Sequence, residues 1–164
     1  MADFYDEELG TFWFQRSGGE VLFARKQEND DSVTPSANAQ MARCLFQLSY
    51  LFDRSDWRVA ADRMLAGALD RVDYWPSATH WAGLLLWRTE PHREVVITGE
   101  DAEMMEEALS KLRQTYRPQI LWAGGTEEEL PLLQSRQLGE LSIFVCEEGA
   151  CGLPLSKADD VKFH

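Results

Sequence analysis

The spacing of apolar residues changes at about residue 92, and this change limits the possible folds more than any other feature. Before it, Met41, Leu45, Leu48 and Phe52 recur at the three- and four-residue spacings of one helix face. After it come short apolar runs of the kind found in buried strands. They are EVVIT (94–98), QILWA (119–123) and LSIFVC (141–146). Helical and strand-like segments are therefore unevenly distributed along the chain.

This distribution predicts two domains and a mixed α+β, α/β class. Residues 1–90 are expected to form a β-hairpin followed by three helices. The hairpin is expected within TFWFQRSGGEVLFARK (11–26), because glycines permit the positive φ angles of tight turns. Residues 91–164 are expected to form a small parallel β-α-β-α-β subdomain with right-handed crossovers.

Local signals place the helix ends. Pro35 and Ser36 indicate the start of the first helix, Ser55 is a possible cap of the second, and Pro76 suits the first turn of a third. In the second domain one helix has a clear apolar face. Its members are Met105, Leu109, Leu112 and Tyr116. Further short helices are expected around Leu130–Arg136 and Ser156–Phe163.

Charge excludes some classes of partner. The chain carries 16 basic and 28 acidic residues, a net charge of −12, which disfavours binding to nucleic acid and to anionic membrane surfaces.

No apolar run approaches the roughly 20 residues of a membrane-spanning helix. The acidic start MADFYDEELG lacks the apolar core of a signal peptide, and three cysteines are an odd count for a disulfide framework. A reducing, cytoplasmic location is therefore expected.

Cys146 and Cys151 lie close together, in FVCEEGACGLP, and allow three interpretations. A thioredoxin-type redox pair has two residues between its cysteines, whereas four lie here and two of them are glutamates. Half of a zinc site would need two further ligands, which no spacing of cysteine or histidine supplies. The favoured interpretation is structural: Cys146 is the buried end of a strand and Cys151 belongs to a turn. No metal site is expected.

Two junctions between a strand and a following helix contain glycine, Gly99 and Gly124–Gly125. Phosphates often bind at such helix starts. Here Glu100, Asp101 and Glu103 occupy the first start and three glutamates follow the second, so an anion would be repelled. No nucleotide-binding glycine motif is present, and we expect no cofactor.

His80 and Asp31 are the candidate catalytic residues. His80 lies in WPSATHW, where Trp75 and Trp81 could stack on a sugar ring while the imidazole transfers a proton. Asp31 could accept a sugar hydroxyl or act as a base, and Asn38 is a further ligand-binding candidate. Each also has a structural alternative, because carboxylates near a helix start commonly cap it and helix histidines are commonly packed.

Three segments resemble one known family. NDDSVTPSANAQMARCLFQLSYLFDRSDW resembles a segment of the thioredoxin-domain-containing, spermatogenesis-associated proteins, with Asp31, Pro35, Ser36 and Asn38 matching. Glycine is usual in the family where this chain has Ser32 and Ala37. REVVITGED resembles a later strand of the family, and FVCEEGACGLPL resembles its closing motif. In that motif the matching residues are Val145, Cys146, Cys151 and Pro154.

The resemblance implies a fold and a set of partners. Family members are longer, with an N-terminal thioredoxin-like domain and an (α/α)6 toroid similar to sugar epimerases and six-hairpin glycosidases. This chain would then supply the last toroid hairpins and a small α/β appendix, without the thioredoxin-like domain. One function that follows is a non-catalytic scaffold or interaction module. The alternative is part of a carbohydrate-binding or sugar-isomerising toroid, acting in carbohydrate metabolism.

Helices taken from a toroid would leave aromatic faces uncovered. We therefore expect a homo-oligomer, or N-terminal segments of a full-length protein, to cover the faces that carry Trp57 and Trp81.

Overall fold

A computed structural model of the chain describes residues 3–20, 24–126, 130–136 and 139–163. It contains helices and two small sheets, which confirms a mixed α+β class. The chain divides into two compact units. The first comprises Met1–Ser49 and Arg54–Thr89, and the second comprises Tyr50–Asp53 and Glu90–His164.

The first unit begins with a short antiparallel hairpin of β1 (Tyr5–Asp6) and β2 (Thr11–Phe12). The carboxylate of Asp6 accepts hydrogen bonds from the backbone N–H groups of Glu8 and Leu9, both at 3.0 Å, and thereby holds the turn. Gly10 completes the turn at a φ of 65°. Such a conformation is costly for residues other than glycine.

The predicted hairpin within residues 11–26 is described only in part, and one backbone hydrogen bond, from Phe14 N–H to the Lys26 carbonyl at 3.0 Å, joins its two arms. A turn does form at the expected glycines, where Gly19 donates to the carbonyl of Arg16 at 3.2 Å. Phe12, however, lies opposite Tyr5, and its backbone N–H and C=O both bond to the side chain of Asn38. An amide side chain thus takes the place that a second strand would need. Residues 21–23, part of the predicted second strand, lie outside the described residues.

Three helices follow: α1 (Ala37–Leu51), α2 (Ser55–Leu69) and α3 (Thr79–Thr89). All belong to the first unit except the last two residues of α1, which belong to the second. A 3-10 turn, Trp75–Ser77, contains Pro76 and precedes α3. The Ser55 cap was predicted wrongly, because Arg54 is the residue at the cap position and makes no side-chain cap. The apolar faces of the helices bury a common set of side chains. Its largest members are Phe46, Met64, Leu65, Trp81 and Leu84.

The second unit contains a four-stranded sheet of order β4-β3-β5-β6. Its elements are β3 (Arg93–Thr98), α4 (Ala102–Leu112), β4 (Ile120–Gly125), β5 (Ser142–Glu147) and β6 (Ala150–Cys151). β3 and β4 are parallel with α4 between them, as the alternation of elements predicts. Leu155 extends the sheet beyond β6 through two 2.8 Å backbone hydrogen bonds with Ile143.

The prediction of a third parallel strand is wrong, because β5 runs antiparallel to β3. A parallel strand needs a crossover that carries the chain back along the sheet, usually a helix. Between β4 and β5 the described residues form only a 3-10 turn, Pro131–Leu133, in place of the predicted helix. The predicted last helix is likewise a 3-10 turn, Ala158–Asp160.

The two faces of this sheet carry different side chains. Helix α4 covers one face, where Val95, Ile97 and Ile143 pack against Ala108 and Leu112. Tyr116 does not join this face, contrary to prediction, because α4 ends at Leu112 and the ring is 86% exposed. Along β3 and β5, alternate residues point to the other face. They include Glu94, Val96 and Thr98 opposite Cys146, Phe144 and Ser142.

The helices within the described ranges are all too short or too polar to cross a membrane.

Candidate functional site

Asp31 joins the starts of two helices in the first unit. Its Oδ1 accepts the backbone N–H of Ser36 at 2.8 Å, next to the start of α1. Its Oδ2 accepts the backbone N–H of His80 and the hydroxyl of Thr79, each at 2.9 Å, at the start of α3. Free N–H groups at helix starts need such acceptors, so this side chain caps both helices.

The same contacts set the acidity of Asp31. Burial favours the neutral acid and by itself raises the pKa, but the donors from Ser36, His80 and Thr79 together outweigh it. The pKa of Asp31 is lowered to about 2. A general base works best with a pKa near the operating pH, so this carboxylate is a poor proton acceptor at neutral pH.

His80 lies beside Asp31, as the sugar-enzyme hypothesis requires. Its Nδ1 is 3.1 Å from Asp31 Oδ1, and 30% of its side chain is exposed. The two atoms are close but not hydrogen-bonded, because His80 Nδ1 is buried without a hydrogen-bond partner among the described residues. The two candidate catalytic residues predicted from the sequence are thus in direct contact.

Asn38 does not present a free amide to a ligand. Its Nδ2 donates to the carbonyls of Phe12 at 3.1 Å and Glu28 at 3.2 Å, and its Oδ1 accepts the N–H of Phe12 at 2.7 Å. The residue is 2% exposed. Its amide joins the β1–β2 hairpin and the segment before α1 to the helix itself.

The two tryptophans proposed to stack on a ligand differ in accessibility. Trp75 is 51% exposed, whereas Trp81 is 1% exposed and its indole N–H donates to the carbonyl of Asn29 at 2.8 Å. Trp81 is therefore a core residue, and its prediction as part of an uncovered face is wrong. Trp57, the other residue of that prediction, is half-buried beneath the guanidinium group of Arg54.

Two cavities lie within the first unit. One, of about 310 Å³, is mainly apolar, and the other measures about 260 Å³. The larger is lined by Phe4, Phe12, Trp13, Phe14, Ala37, Asn38 and Met41. The smaller is lined by Asn29, Asp30, Ala68, Arg71, Val72, Ala78 and Trp81. Among the described residues, Asp31 and His80 line neither of these two.

In the second unit, Cys146 and Cys151 form a disulfide, which corrects the prediction of two independent thiols. Cys146 is fully buried within β5, as expected, but Cys151 lies in β6 and not in a turn. A disulfide is uncommon in reducing compartments, so one argument for a cytoplasmic location is removed. That location remains a prediction.

The geometry of the β5–β6 hairpin brings the two cysteines together. Glu148 and Gly149 form its two-residue turn, at φ angles of 51° and 81°, and type I′ hairpin turns need positive φ at both positions. The N–H of Gly152 donates to the Val145 carbonyl at 3.0 Å, so Val145 and Gly152 form a hydrogen-bonded pair. Hydrogen-bonded and non-hydrogen-bonded pairs alternate along an antiparallel ladder, so the next pair, Cys146 and Cys151, has no backbone hydrogen bonds between its members. Such pairs are the closest in an antiparallel sheet, and here the Cα atoms are 3.9 Å apart.

A cationic side chain contacts one of the two sulfur atoms. Arg136 directs Nε and Nη2 at the Sγ of Cys151, at 3.3 and 3.2 Å. Its Nη1 donates to the carbonyls of Leu132 and Gln134, which fix the guanidinium group. The prediction did not include Arg136, since nothing in its local sequence indicates a contact 15 residues away.

A buried carboxyl group lies beside the other cysteine. Glu94 is fully buried and is paired directly with Cys146 across β3 and β5. Its Oε2 accepts the N–H of Gly149 at 3.3 Å, while Oε1 has no hydrogen-bond partner among the described residues. Burial, with a smaller contribution from the charge of Glu148, raises the pKa of Glu94 to about 7, against the opposing effects of Gly149 and Arg136.

Glu148, in the hairpin turn, is fixed by two hydrogen bonds. Its Oε2 accepts the hydroxyl of Tyr50 at 2.7 Å, and its Oε1 accepts the backbone N–H of His92 at 2.8 Å. The ring of Tyr50 also packs on that of His92, with centroids 4.4 Å apart. These contacts hold a residue other than glycine in a conformation that costs about 1 kcal/mol or more.

The start of α4 is closed to anions. Asp101 caps it by accepting the N–H groups of Glu103 at 2.9 Å and Met104 at 3.1 Å, which occupies donors that a phosphate would use. Gly99 is explained by packing, because a Cβ atom there would lie 2.1 Å from the carbonyl oxygen of Glu140. Within the described parts of the chain, no cluster of three or more His, Cys, Asp or Glu residues could hold a metal ion.

Comparisons with models of protein families, with curated proteins and with solved structures find no match to this chain. The resemblance to the thioredoxin-domain-containing family therefore remains a prediction from the sequence segments.

Proposed function

We propose that this chain is a non-catalytic scaffold or interaction module, and that it is the C-terminal region of a thioredoxin-domain-containing protein. One observation carries the first part of the proposal. Asp31 binds two helix starts and Asn38 binds two chain segments, so the candidate site residues are used to build the fold. The second part rests on the family resemblance alone.

An exposed aromatic surface supports a role in interaction. Tyr74 and Trp75 are consecutive and are 66% and 51% exposed. Aromatic residues are enriched at the centres of protein–protein interfaces, where they bury a large area. We assign the expected self-association to this pair, because Trp81 is buried.

The alternative function is carbohydrate binding or isomerisation by a toroid of which this chain is a part. The 3.1 Å contact between His80 and Asp31 favours it, since a partly exposed imidazole beside a carboxylate can transfer protons. The low pKa of Asp31 makes that carboxylate a poor base at neutral pH.

A sugar-binding screen tests the proposal against this alternative. Saturation-transfer NMR with a panel of monosaccharides and disaccharides is recorded on the wild-type chain and on His80→Ala. We expect no saturation transfer to any sugar. Transfer that is present in the wild type and lost in His80→Ala would favour the carbohydrate function.

Analytical ultracentrifugation over a hundredfold range of concentration tests self-association. We expect the sedimentation coefficient of the wild type to rise with concentration and that of Trp75→Ser to remain constant. Val59→Ser is the matched control, because Val59 is 66% exposed on α2 and is not part of the aromatic pair. A monomer at every concentration would contradict self-association through this surface.

A further inference from the structure

We propose that the Cys146–Cys151 disulfide is a redox-active site that a dithiol reduces and that re-forms by exchange with another disulfide. Cys151 is the sulfur that the dithiol attacks, and Arg136 is its positioning residue. The inference rests on three features of the second unit: unequal access to the two sulfurs, a cation on one of them and a buried carboxyl group beside the other.

Access decides which sulfur reacts. Cys146 is fully buried, whereas Cys151 is partly exposed and is followed by exposed Gly152. Thiol–disulfide exchange requires an attacking thiolate to approach one sulfur atom directly. Attack is therefore directed at Cys151, and Cys146 is the leaving group.

Arg136 stabilises the product on the attacked side. Its two N–H groups are already within 3.3 Å of the Cys151 sulfur while that sulfur is uncharged. A neighbouring guanidinium group lowers the pKa of a thiol, because it stabilises the thiolate form. Once reduced, Cys151 thus has a larger thiolate fraction at neutral pH than an ordinary thiol, which makes it a better leaving group during reduction and a readier nucleophile during re-oxidation.

The buried carboxyl group serves the other sulfur. Directly opposed side chains on one face of an antiparallel pair have Cβ atoms about 4.5–5.5 Å apart, which places Glu94 beside Cys146. Burial favours the protonated acid, so Glu94 can give a proton to the departing Cys146 sulfur and take one back when the disulfide re-forms.

The exchange takes two steps. A thiolate of the dithiol bonds to Cys151 Sγ, the Cys146–Cys151 bond breaks, and its electron pair and one proton go to Cys146. The second thiolate of the dithiol then attacks its own partner sulfur, which releases the Cys151 thiolate to Arg136. The dithiol becomes a disulfide, and two electrons have passed to this protein.

Site-resolved alkylation tests the proposal in a Cys44→Ser background, which removes the exposed free cysteine. The oxidised protein is incubated with dithiothreitol, and the reduced form is pulsed with iodoacetamide from pH 5 to pH 9.5. Peptide masses report which cysteine has reacted. We expect full reduction with the native NMR spectrum retained, and alkylation of Cys151 at least about tenfold faster than that of Cys146.

The variant Arg136→Gln tests the positioning role through the pH profile. The midpoint of Cys151 alkylation should rise by about one pH unit, so the rate at pH 7 should fall several-fold. Arg136→Lys keeps a positive charge and should restore most of the rate, and Arg113→Gln, on the opposite face of the sheet, should leave it unchanged. If Arg136→Gln fails to fold, the wild-type profile decides, because the midpoint of Cys151 alkylation should then lie below about 8.5, the pKa of an ordinary thiol.

Three results would overturn the proposal. The disulfide could resist millimolar dithiothreitol in the folded protein, which would make it purely structural. Cys146 could be alkylated first, or the Cys151 midpoint could be the same in the wild type and in Arg136→Gln, or lie at or above about 8.5 in the wild type.

Discussion

The buried carboxyl group of Glu94 should make the stability of the second unit depend on pH. The pKa of Glu94 is about 7 in the folded chain, against 4.5 for an unperturbed glutamate. Between these two values the folded state retains a proton that the unfolded state has lost. Stability from this group is therefore fully present below pH 4.5 and is lost as the pH rises through 7.

The size of the effect follows from the difference between the two pKa values. Each pKa unit corresponds to about 1.4 kcal/mol, so the free energy of unfolding should fall by about 3 kcal/mol between pH 4.5 and pH 8. The substitution Glu94→Gln removes the titrating proton and keeps the size of the side chain. The wild type should therefore lose stability relative to Glu94→Gln as the pH rises.

Urea titrations at several pH values measure this difference at the site itself. The loss of the folded backbone amide signals of Val95 and Val96 in NMR spectra reports the unfolding of β3. The matched control is Glu107→Gln, because Glu107 is an exposed glutamate on α4. The free energy of unfolding of this variant should vary with pH in the same way as that of the wild type. If the free energies of unfolding of the wild type and of Glu94→Gln changed equally from pH 4.5 to pH 8, Glu94 would titrate normally and this reasoning would be refuted.

Three further substitutions should have defined effects, each measured by urea unfolding. Asp31→Asn should cost about 2 kcal/mol at pH 7, and this difference should shrink as the pH falls from 4 to 2, because the wild-type carboxylate then becomes protonated. Equal destabilisation at both ends of that range would contradict the capping role. Gly124→Ala should cost about 3 kcal/mol, since the new Cβ would lie 2.4 Å from the carbonyl oxygen of Ile97. The control Gly67→Ala lies in the last turn of α2, where a new Cβ makes only ordinary contact with the flexible end of Arg71, and should be neutral or slightly stabilising. Loss of the disulfide in Cys151→Ser should cost about 2 kcal/mol for a sequence separation of five, and no loss would show that the cross-link does not constrain the unfolded chain.

Periodicity and turn residues predict the local elements of this chain well. The four helices and the strands β3, β4 and β5 lie where apolar spacing and breaking residues place them. The direction of β5 could not be predicted in this way, because it depends on the lack of a helical crossover after β4. The position of the first hairpin depends on the bonds from Asn38 to Phe12, which join residues 26 apart.

For the candidate sites too, the local sequence identifies residues, but contacts between residues distant in the chain decide what those residues do. The sequence identifies Asp31 and His80 as chemically interesting residues, but their roles follow from hydrogen bonds that join residues about 50 apart. The disulfide had a local signal that could have been used. Four residues between two cysteines, with Glu-Gly in the middle, fit a two-residue hairpin turn that brings the cysteines opposite one another. Glu94 and Arg136 have no comparable signal in the sequence.

The segment from Cys151 to Leu155 has a consequence for solubility. It is fastened to β5 at one end by the disulfide and at the other by the backbone bonds between Leu155 and Ile143. Strand β5 contains Ile143, Phe144 and Val145, and an uncovered edge of such a strand is a template on which other chains can pair. Because this segment occupies that edge, it blocks edge-to-edge pairing with other chains, which would lead to aggregation. The disulfide prevents a shift in the register between the segment and β5.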